Sequence, residues 1–74
     1  MILVTAFQNA NDEVVTLSQS NPQDAASAAI SLTNIARFIR VMDGKWRVVF
    51  PSSVQMSKDR LAHIIEHRAE VEFA

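Results

Sequence analysis

The sequence predicts an α+β fold: a small single-layer antiparallel sheet of two hairpins with two helices, in the order β-β-α-β-β-α. Two pairs of apolar, β-branched runs joined by Asx or Gly residues indicate the hairpins. Two segments that start with helix-capping residues carry apolar side chains at helical spacing. Because a chain of 74 residues is too short to build two cores, we expect residues 1–74 to form a single domain.

The first predicted hairpin has an Asx-rich loop at residues 9–12, between an apolar run that begins at position 2 and another that begins at position 14. If all four loop residues lie outside the strands, Val4 faces Leu17 and Thr5 faces Thr16. One side of the hairpin is then apolar, and the other carries the threonine pair.

The first helix is predicted to begin at Asn21-Pro22, because Asn caps helix N-termini and Pro suits the first helical position. Asp24 in the first turn complements the helix dipole. We expect this helix to end near Asn34. Its apolar residues recur at helical spacing and are Ala25, Ala28, Ala29, Leu32 and Ile35.

The second helix is predicted to begin after Ser57, another capping residue, downstream of the strand break at Pro51. Its apolar stripe comprises Leu61, Ile64, Ile65 and either Arg68 or Ala69. Beyond this stripe, apolar and acidic residues alternate, a pattern that fits a continued helix or a short extra strand. We expect helix for residues 69–74.

The second hairpin is predicted from Asp43-Gly44 between two apolar runs, because a type I′ turn needs positive φ at both central residues. With these residues at the centre of the turn, the core side pairs Val41 with Trp46, Ile39 with Val48, and Arg37 with Phe50. We therefore expect Trp46 in the core. On the other side of the hairpin, Arg40 is expected directly opposite Arg47.

The candidate partner-binding residues are Arg37, Phe38, Arg40, Lys45 and Arg47. The whole chain has a net charge of -1, yet residues 37–50 hold four cations and only one anion. Like charges directly opposite on neighbouring strands destabilise a sheet, so an anionic group would relieve this hairpin. That group could be a carboxylate cluster on another protein, a phosphate backbone or the chain's own acidic residues. Aromatic residues and Arg are enriched at interface hot spots, which favours a binding face.

The segment His63-Ile64-Ile65-Glu66-His67 has the H-x-x-E-H pattern and resembles the inverzincin metalloproteases at these five residues. The resemblance implies that His63 and His67 ligate zinc and that Glu66 is the general base. On a helix, however, these three residues lie opposite Leu61 and Ile65, which favours a solvent-exposed face. The sequence has no Cys or Tyr, and its one Gly lies in the predicted turn. We therefore expect no catalytic residue, metal or cofactor.

The function that we expect is that of a small non-catalytic protein-binding regulator. In size and type it looks like the accessory proteins that phages and mobile elements use to inhibit or modulate a host machine such as RNA polymerase. Its expected partner is a larger host protein or complex with an acidic surface. One alternative is a nucleic-acid-binding accessory protein that uses the basic hairpin 37–47. Another is a homo-oligomeric structural module, such as a homodimer formed through an unpaired sheet edge.

The composition favours an ordered cytoplasmic protein that has no contact with a membrane. Hydrophobic residues make up 49% and charged residues 20% of the chain, enough apolar surface for a core. The absence of Cys fits a reducing compartment. The first residues do not resemble a signal peptide, and no apolar run reaches the ~18 residues that span a bilayer.

Overall fold

A computed structural model of the protein describes residues 1–9, 11–71 and 73, and it confirms the predicted order of elements. The elements are β1 (Ile2–Asn9), β2 (Asp12–Gln19), α1 (Pro22–Leu32), β3 (Phe38–Asp43), β4 (Trp46–Pro51) and α2 (Lys58–His67). The four strands form one antiparallel sheet in the order β2-β1-β3-β4. The two hairpins therefore join through β1 and β3.

Both helices pack on the same side of this sheet. The core cluster combines alternate strand residues with the apolar sides of α1 and α2, because successive side chains of a strand point to opposite faces. The fully buried members include Val4, Val41, Phe50, Ala29 and Leu61. No described helix or strand packs on the opposite side of the sheet.

The register of the first hairpin is confirmed over its middle. Val4 pairs with Leu17 and Thr5 with Thr16. The strands run on to Asn9 and Asp12, so their connection is shorter than the four residues predicted. Within the predicted loop, Ala10 lies outside the described residues. The register shifts near the turn, where a β-bulge or a similar irregularity interrupts the regular pairing.

The predicted register of the second hairpin is wrong by two residues. Asp43 pairs with Trp46, so the central residues of the turn are Gly44 and Lys45. Gly44 has φ +64, and Lys45 has no positive φ, which matches a type II′ turn, where only the first central residue needs one. Arg40 is consequently not opposite Arg47.

The observed register gives better apolar pairing than the predicted one. Ile39 faces Phe50 and Val41 faces Val48, whereas the predicted register would have placed Arg37 against the fully buried Phe50. Arg37 instead precedes β3 and is exposed. Burial of apolar pairs favours the observed alignment, because a charged side chain on the core side would lose its hydration.

Both helices begin where the sequence predicts. The Asn21 side chain accepts a hydrogen bond from the Asp24 backbone N–H at 2.9 Å, and the Ser57 hydroxyl accepts one from the Arg60 N–H at 3.1 Å. The expectation that Ile35 belongs to the apolar stripe of α1 is wrong. The helix ends at Leu32, and Ile35 is 50% exposed.

Helix α2 ends at His67 because Arg68 adopts the left-handed conformation, with φ 48 and ψ 46. The Ala69 N–H bonds to the Ile64 carbonyl and the Arg68 N–H to the Ile65 carbonyl, the two hydrogen bonds of a Schellman motif. The expected helix over residues 69–74 is therefore wrong for 69–71 and 73, which are irregular. Residues 72 and 74 lie outside the described part of the chain.

The segment after α2 returns to the core side of β4. The Trp46 indole N–H donates to the Ala69 carbonyl at 3.0 Å, and the Phe73 ring lies 5.8 Å from the Phe50 ring. Trp46, which was expected in the core opposite Val41, lies on the helix-covered side but is only half-buried. It packs against the core rather than within it and faces Asp43. Asp43 in turn forms an ion pair with Arg68, at 3.1 Å.

Candidate functional site

The candidate site is the side of the sheet that no helix covers, which we call the open face. Alternation along the strands assigns to it Leu3, Thr5, Phe7 and Asn9 from β1, Thr16 and Ser18 from β2, Phe38, Arg40 and Met42 from β3, and Arg47 and Val49 from β4. Glu13 joins them because the register shift near the turn places it opposite Phe7. Three large apolar residues remain substantially accessible here: Leu3 at 37%, Phe38 at 40% and Val49 at 48%. The open face thus exposes apolar side chains among polar and charged ones, and no described helix or strand covers it.

A depression of about 490 Å³ lies on the open face between β1, β3 and β4. It is lined by Phe7, Asn9, Phe38, Arg40, Arg47 and Val49. Phe7 pairs with Phe38 across the junction of the two hairpins, and Arg40 pairs with Val49. Arg47 lies diagonal to Arg40, within reach of a long side chain. The depression therefore has two guanidinium groups beside an aromatic and aliphatic lining.

The Arg40 guanidinium lies over the Phe7 ring, with its Cζ 4.9 Å from the ring centroid. This cation–π contact compensates part of the cost of removing Arg40 from water. The Arg40 Nε–H is buried and has no acceptor within the described residues. An unsatisfied buried donor costs about 1–3 kcal/mol, so Arg40 is less stable in this position than it would be with every N–H hydrogen-bonded.

Neither arginine of the depression forms an ion pair within residues 1–9, 11–71 and 73. The one salt bridge in that part of the chain joins Arg68 to Asp43 on the other side of the sheet. Glu13 lies opposite Phe7, and its carboxylate accepts a hydrogen bond from the Thr16 hydroxyl on β2, while Asp12 lies opposite Asn9. Neither carboxylate forms an ion pair with Arg40 or Arg47. Within the described residues, no carboxylate is therefore at ion-pair distance from either guanidinium group of the depression.

Three of the five predicted partner-binding residues meet in the depression: Phe38, Arg40 and Arg47. Arg37 and Lys45 are exposed but do not line it; Arg37 precedes β3, and Lys45 occupies the turn. The structure adds three lining residues that were not among the predicted binding residues, namely Phe7, Asn9 and Val49. Alternation within β1 and β4 places Phe7 and Val49 on this side, whereas Asn9 was expected in the loop at residues 9–12 and reaches it because β1 extends to Asn9.

The residues of the H-x-x-E-H pattern do not form a metal centre with a third ligand within the described residues. His63, Glu66 and His67 are all exposed on α2, and the two imidazole rings lie 4.3 Å apart. No group of three or more His, Cys, Asp or Glu side chains in that part of the chain is arranged to hold a metal ion. The geometry is that of a histidine pair one turn apart on a solvated helix face.

Comparison with protein-family models, with curated proteins and with solved structures finds no match to this chain. The described helices are all too short to cross a membrane, since the longest, α1, has 11 residues. The functional argument therefore rests on the open face itself.

Proposed function

We propose that the protein is a non-catalytic protein-binding module that docks a partner onto the depression of the open face. The observation that carries this proposal is the combination of an apolar lining with two arginines, Arg40 and Arg47, that have no carboxylate partner in the described chain. The complementary ligand is a protein segment that presents an apolar or aromatic side chain next to Asp or Glu.

The lining favours a protein segment over a nucleic acid. Val49 and Phe38 offer aliphatic and aromatic contact area, which suits a buried anchor side chain, whereas phosphate recognition gains from many cations. Only two guanidinium groups line the depression, and the chain as a whole is negative. Stacking of a base on Phe38 beside the arginines is the alternative mode.

The test is capture of a partner from bacterial lysate by the immobilised protein, followed by quantitative binding of that partner. Arg40→Glu and Arg47→Glu should each weaken binding by at least about tenfold, since each replaces an attractive contact with a repulsive one. The matched control is Arg60→Glu, which makes the same charge change on the exposed start of α2. It should leave binding unchanged.

Equal losses with all three variants would contradict docking on the open face, because they would indicate a response to net charge alone. Unchanged binding with both Arg40→Glu and Arg47→Glu would contradict it as well. The nucleic-acid alternative predicts that a single-stranded oligonucleotide binds and that its affinity falls steeply as salt rises. A weak and salt-independent interaction would exclude that alternative.

We include in the proposal that the module acts in the cytoplasm and that its partner belongs to a larger host complex. Purified bacterial RNA polymerase is the first defined complex to test, because the small size and the lack of a catalytic residue set resemble accessory regulators of such machines. A binding assay with immobilised polymerase and the same three variants tests this directly. If polymerase does not bind, it is excluded as the partner. Docking on the open face is then tested with the protein captured from the lysate.

A further inference from the structure

Within the part of the chain that the structure describes, the sheet has two edges without a paired strand, and they differ in length and in chemistry. β4 forms one edge with six residues, and β2 forms the other with eight. A strand at an edge presents unpaired N–H and C=O groups to which another strand can bind. Proteins commonly block such edges with Pro, Lys or covering segments.

The hydrogen bonds outside the strands show which backbone groups point outward. The Arg37 N–H donates to the Phe7 carbonyl, so the backbone N–H and C=O of Phe7 point toward β3. Because these groups alternate in direction along a strand, the odd-numbered residues of β1 bond to β3 and the even-numbered ones to β2. Val4 therefore bonds to its partner Leu17 on β2. Because the backbone groups of Leu17 point toward β1, those of its neighbours Thr16 and Ser18 point away from β1, toward the free edge.

The same alternation explains why β4 is a poor template. The Ser52 N–H donates to the Arg37 carbonyl, which places the backbone groups of Phe50 toward β3 and those of Pro51 outward. Pro has no N–H to offer, so this edge is blocked at one end. β2 contains neither Pro nor Lys, and its irregular pairing is confined to the end near the turn. Residues 15–19 of β2 therefore lack such protection.

We propose that a second copy of this chain pairs antiparallel with β2 about a twofold axis through Thr16. In this register Thr16 of one copy lies opposite Thr16 of the other. The backbone N–H and C=O groups of these two residues, which point toward the free edge, can then bond to each other. On the helix side it places Val15 opposite Leu17 of the second copy. Both residues are half-buried at the rim of the core, so the pairing completes their burial. Threonine pairs and aliphatic pairs across strands both stabilise a sheet.

The distribution of charges along β2 favours a second copy of this chain as the strand that pairs with it. Asp12 and Glu13 lie at one end of the strand, whereas Ser18 and Gln19 lie at the other. Antiparallel pairing about Thr16 brings the acidic end of each copy beside the neutral end of the other, so no like charges are opposed. A domain of 74 residues has a small core and gains stability from such an association.

The test is analytical ultracentrifugation of the 8.2 kDa chain over a concentration series. The expected result is a reversible dimer. Ser18→Pro removes an outward N–H from each copy without touching the bonds to β1, and it should raise the dissociation constant at least about tenfold. Thr16→Lys opposes two lysines at the twofold axis and should also weaken the dimer severalfold.

Val49→Lys is the matched control, because it adds the same charge at an exposed position of the other edge strand. It should leave the dimer intact. A monomer at about 1 mM wild-type chain would overturn the proposal, since even weak specific pairs associate there. A dimer that survives both β2 variants, or that dissociates equally with Val49→Lys, would overturn the assignment to β2. Far-UV circular dichroism verifies that each variant is folded, and Thr16→Lys decides if Ser18→Pro does not fold.

Discussion

At the end of α2, two contributions to the free energy of unfolding can be measured separately at one residue. They are the cost of a left-handed backbone conformation and the stabilisation by an ion pair. Arg68 has φ 48, in the left-handed region that glycine adopts freely and other residues do not. Its side chain is 61% exposed and reaches Asp43, which is 24% exposed, at 3.1 Å. Replacing Arg68 by Ala or by Gly removes the ion pair in both cases. The two variants then differ only in how well the backbone tolerates the left-handed conformation.

The magnitudes predict a clear order of stability. A left-handed residue other than glycine costs about 1–2 kcal/mol, and glycine loses about 0.5–1 kcal/mol more entropy on folding. Arg68→Gly should therefore be more stable than Arg68→Ala by about 0.5–1 kcal/mol. Because the ion pair is largely solvated, its loss costs at most about 1 kcal/mol, and Arg68→Ala falls below wild type by that amount or less.

Thermal unfolding followed by circular dichroism measures these differences, since about 1 kcal/mol shifts the melting temperature by ~4–8 °C in a chain of this size. Asp43→Asn serves as the control for the ion pair alone and should match Arg68→Ala. Equal melting temperatures for Arg68→Ala and Arg68→Gly would refute the assignment of strain to this residue. A loss in Arg68→Gly larger than that in Arg68→Ala would refute it too.

Substitutions at three further positions probe the turn, the core and a helix cap, each by urea unfolding. Gly44→Ala should lose about 1–2 kcal/mol from φ +64 alone, because no atom lies within 4 Å of the added Cβ; Gly44→Asn should lose less. Phe50→Ala should lose about 3–5 kcal/mol, most of the stability of a small domain, and abolish the cooperative transition. Ser57→Ala should lose about 1 kcal/mol with an unchanged slope; a neutral result would show that the hydroxyl does not cap α2.

The local parts of the fold were predictable because their signals lie within a few residues. Asn21-Pro22 and Ser57 mark helix starts through groups that bond two or three residues away. The end of α2 was not predictable in the same way. Its left-handed residue is Arg68 rather than Gly, and the contacts of Ala69 with Trp46 that favour this exit are distant in sequence.

The composition of the candidate site was only partly predictable for the same physical reason. The turn at Gly44 brings Phe38, Arg40 and Arg47 to one side of a hairpin, and alternation alone predicts that shared side. Which residues of β3 and β4 pair depends on which two residues form the turn. The Asp43-Gly44 signal predicts a turn at those two residues, whereas burial of Phe50 opposite Ile39 favours the observed register, with its turn at Gly44 and Lys45. Phe7 enters the depression through the pairing of β1 with β3, a contact between distant segments.

The two proposals, docking on the open face and pairing through β2, combine into one geometric consequence. Antiparallel pairing about an axis perpendicular to the sheet keeps both Thr16 side chains on the same side, so the two open faces become one continuous surface. The two β3 strands then lie five strand spacings apart, about 24 Å. A partner with two acidic and apolar segments at that separation would bind both depressions, and the second contact would gain a high effective concentration. Ser18→Pro should therefore weaken capture of such a partner while leaving the affinity for an isolated segment unchanged, because it separates the depressions without altering either one.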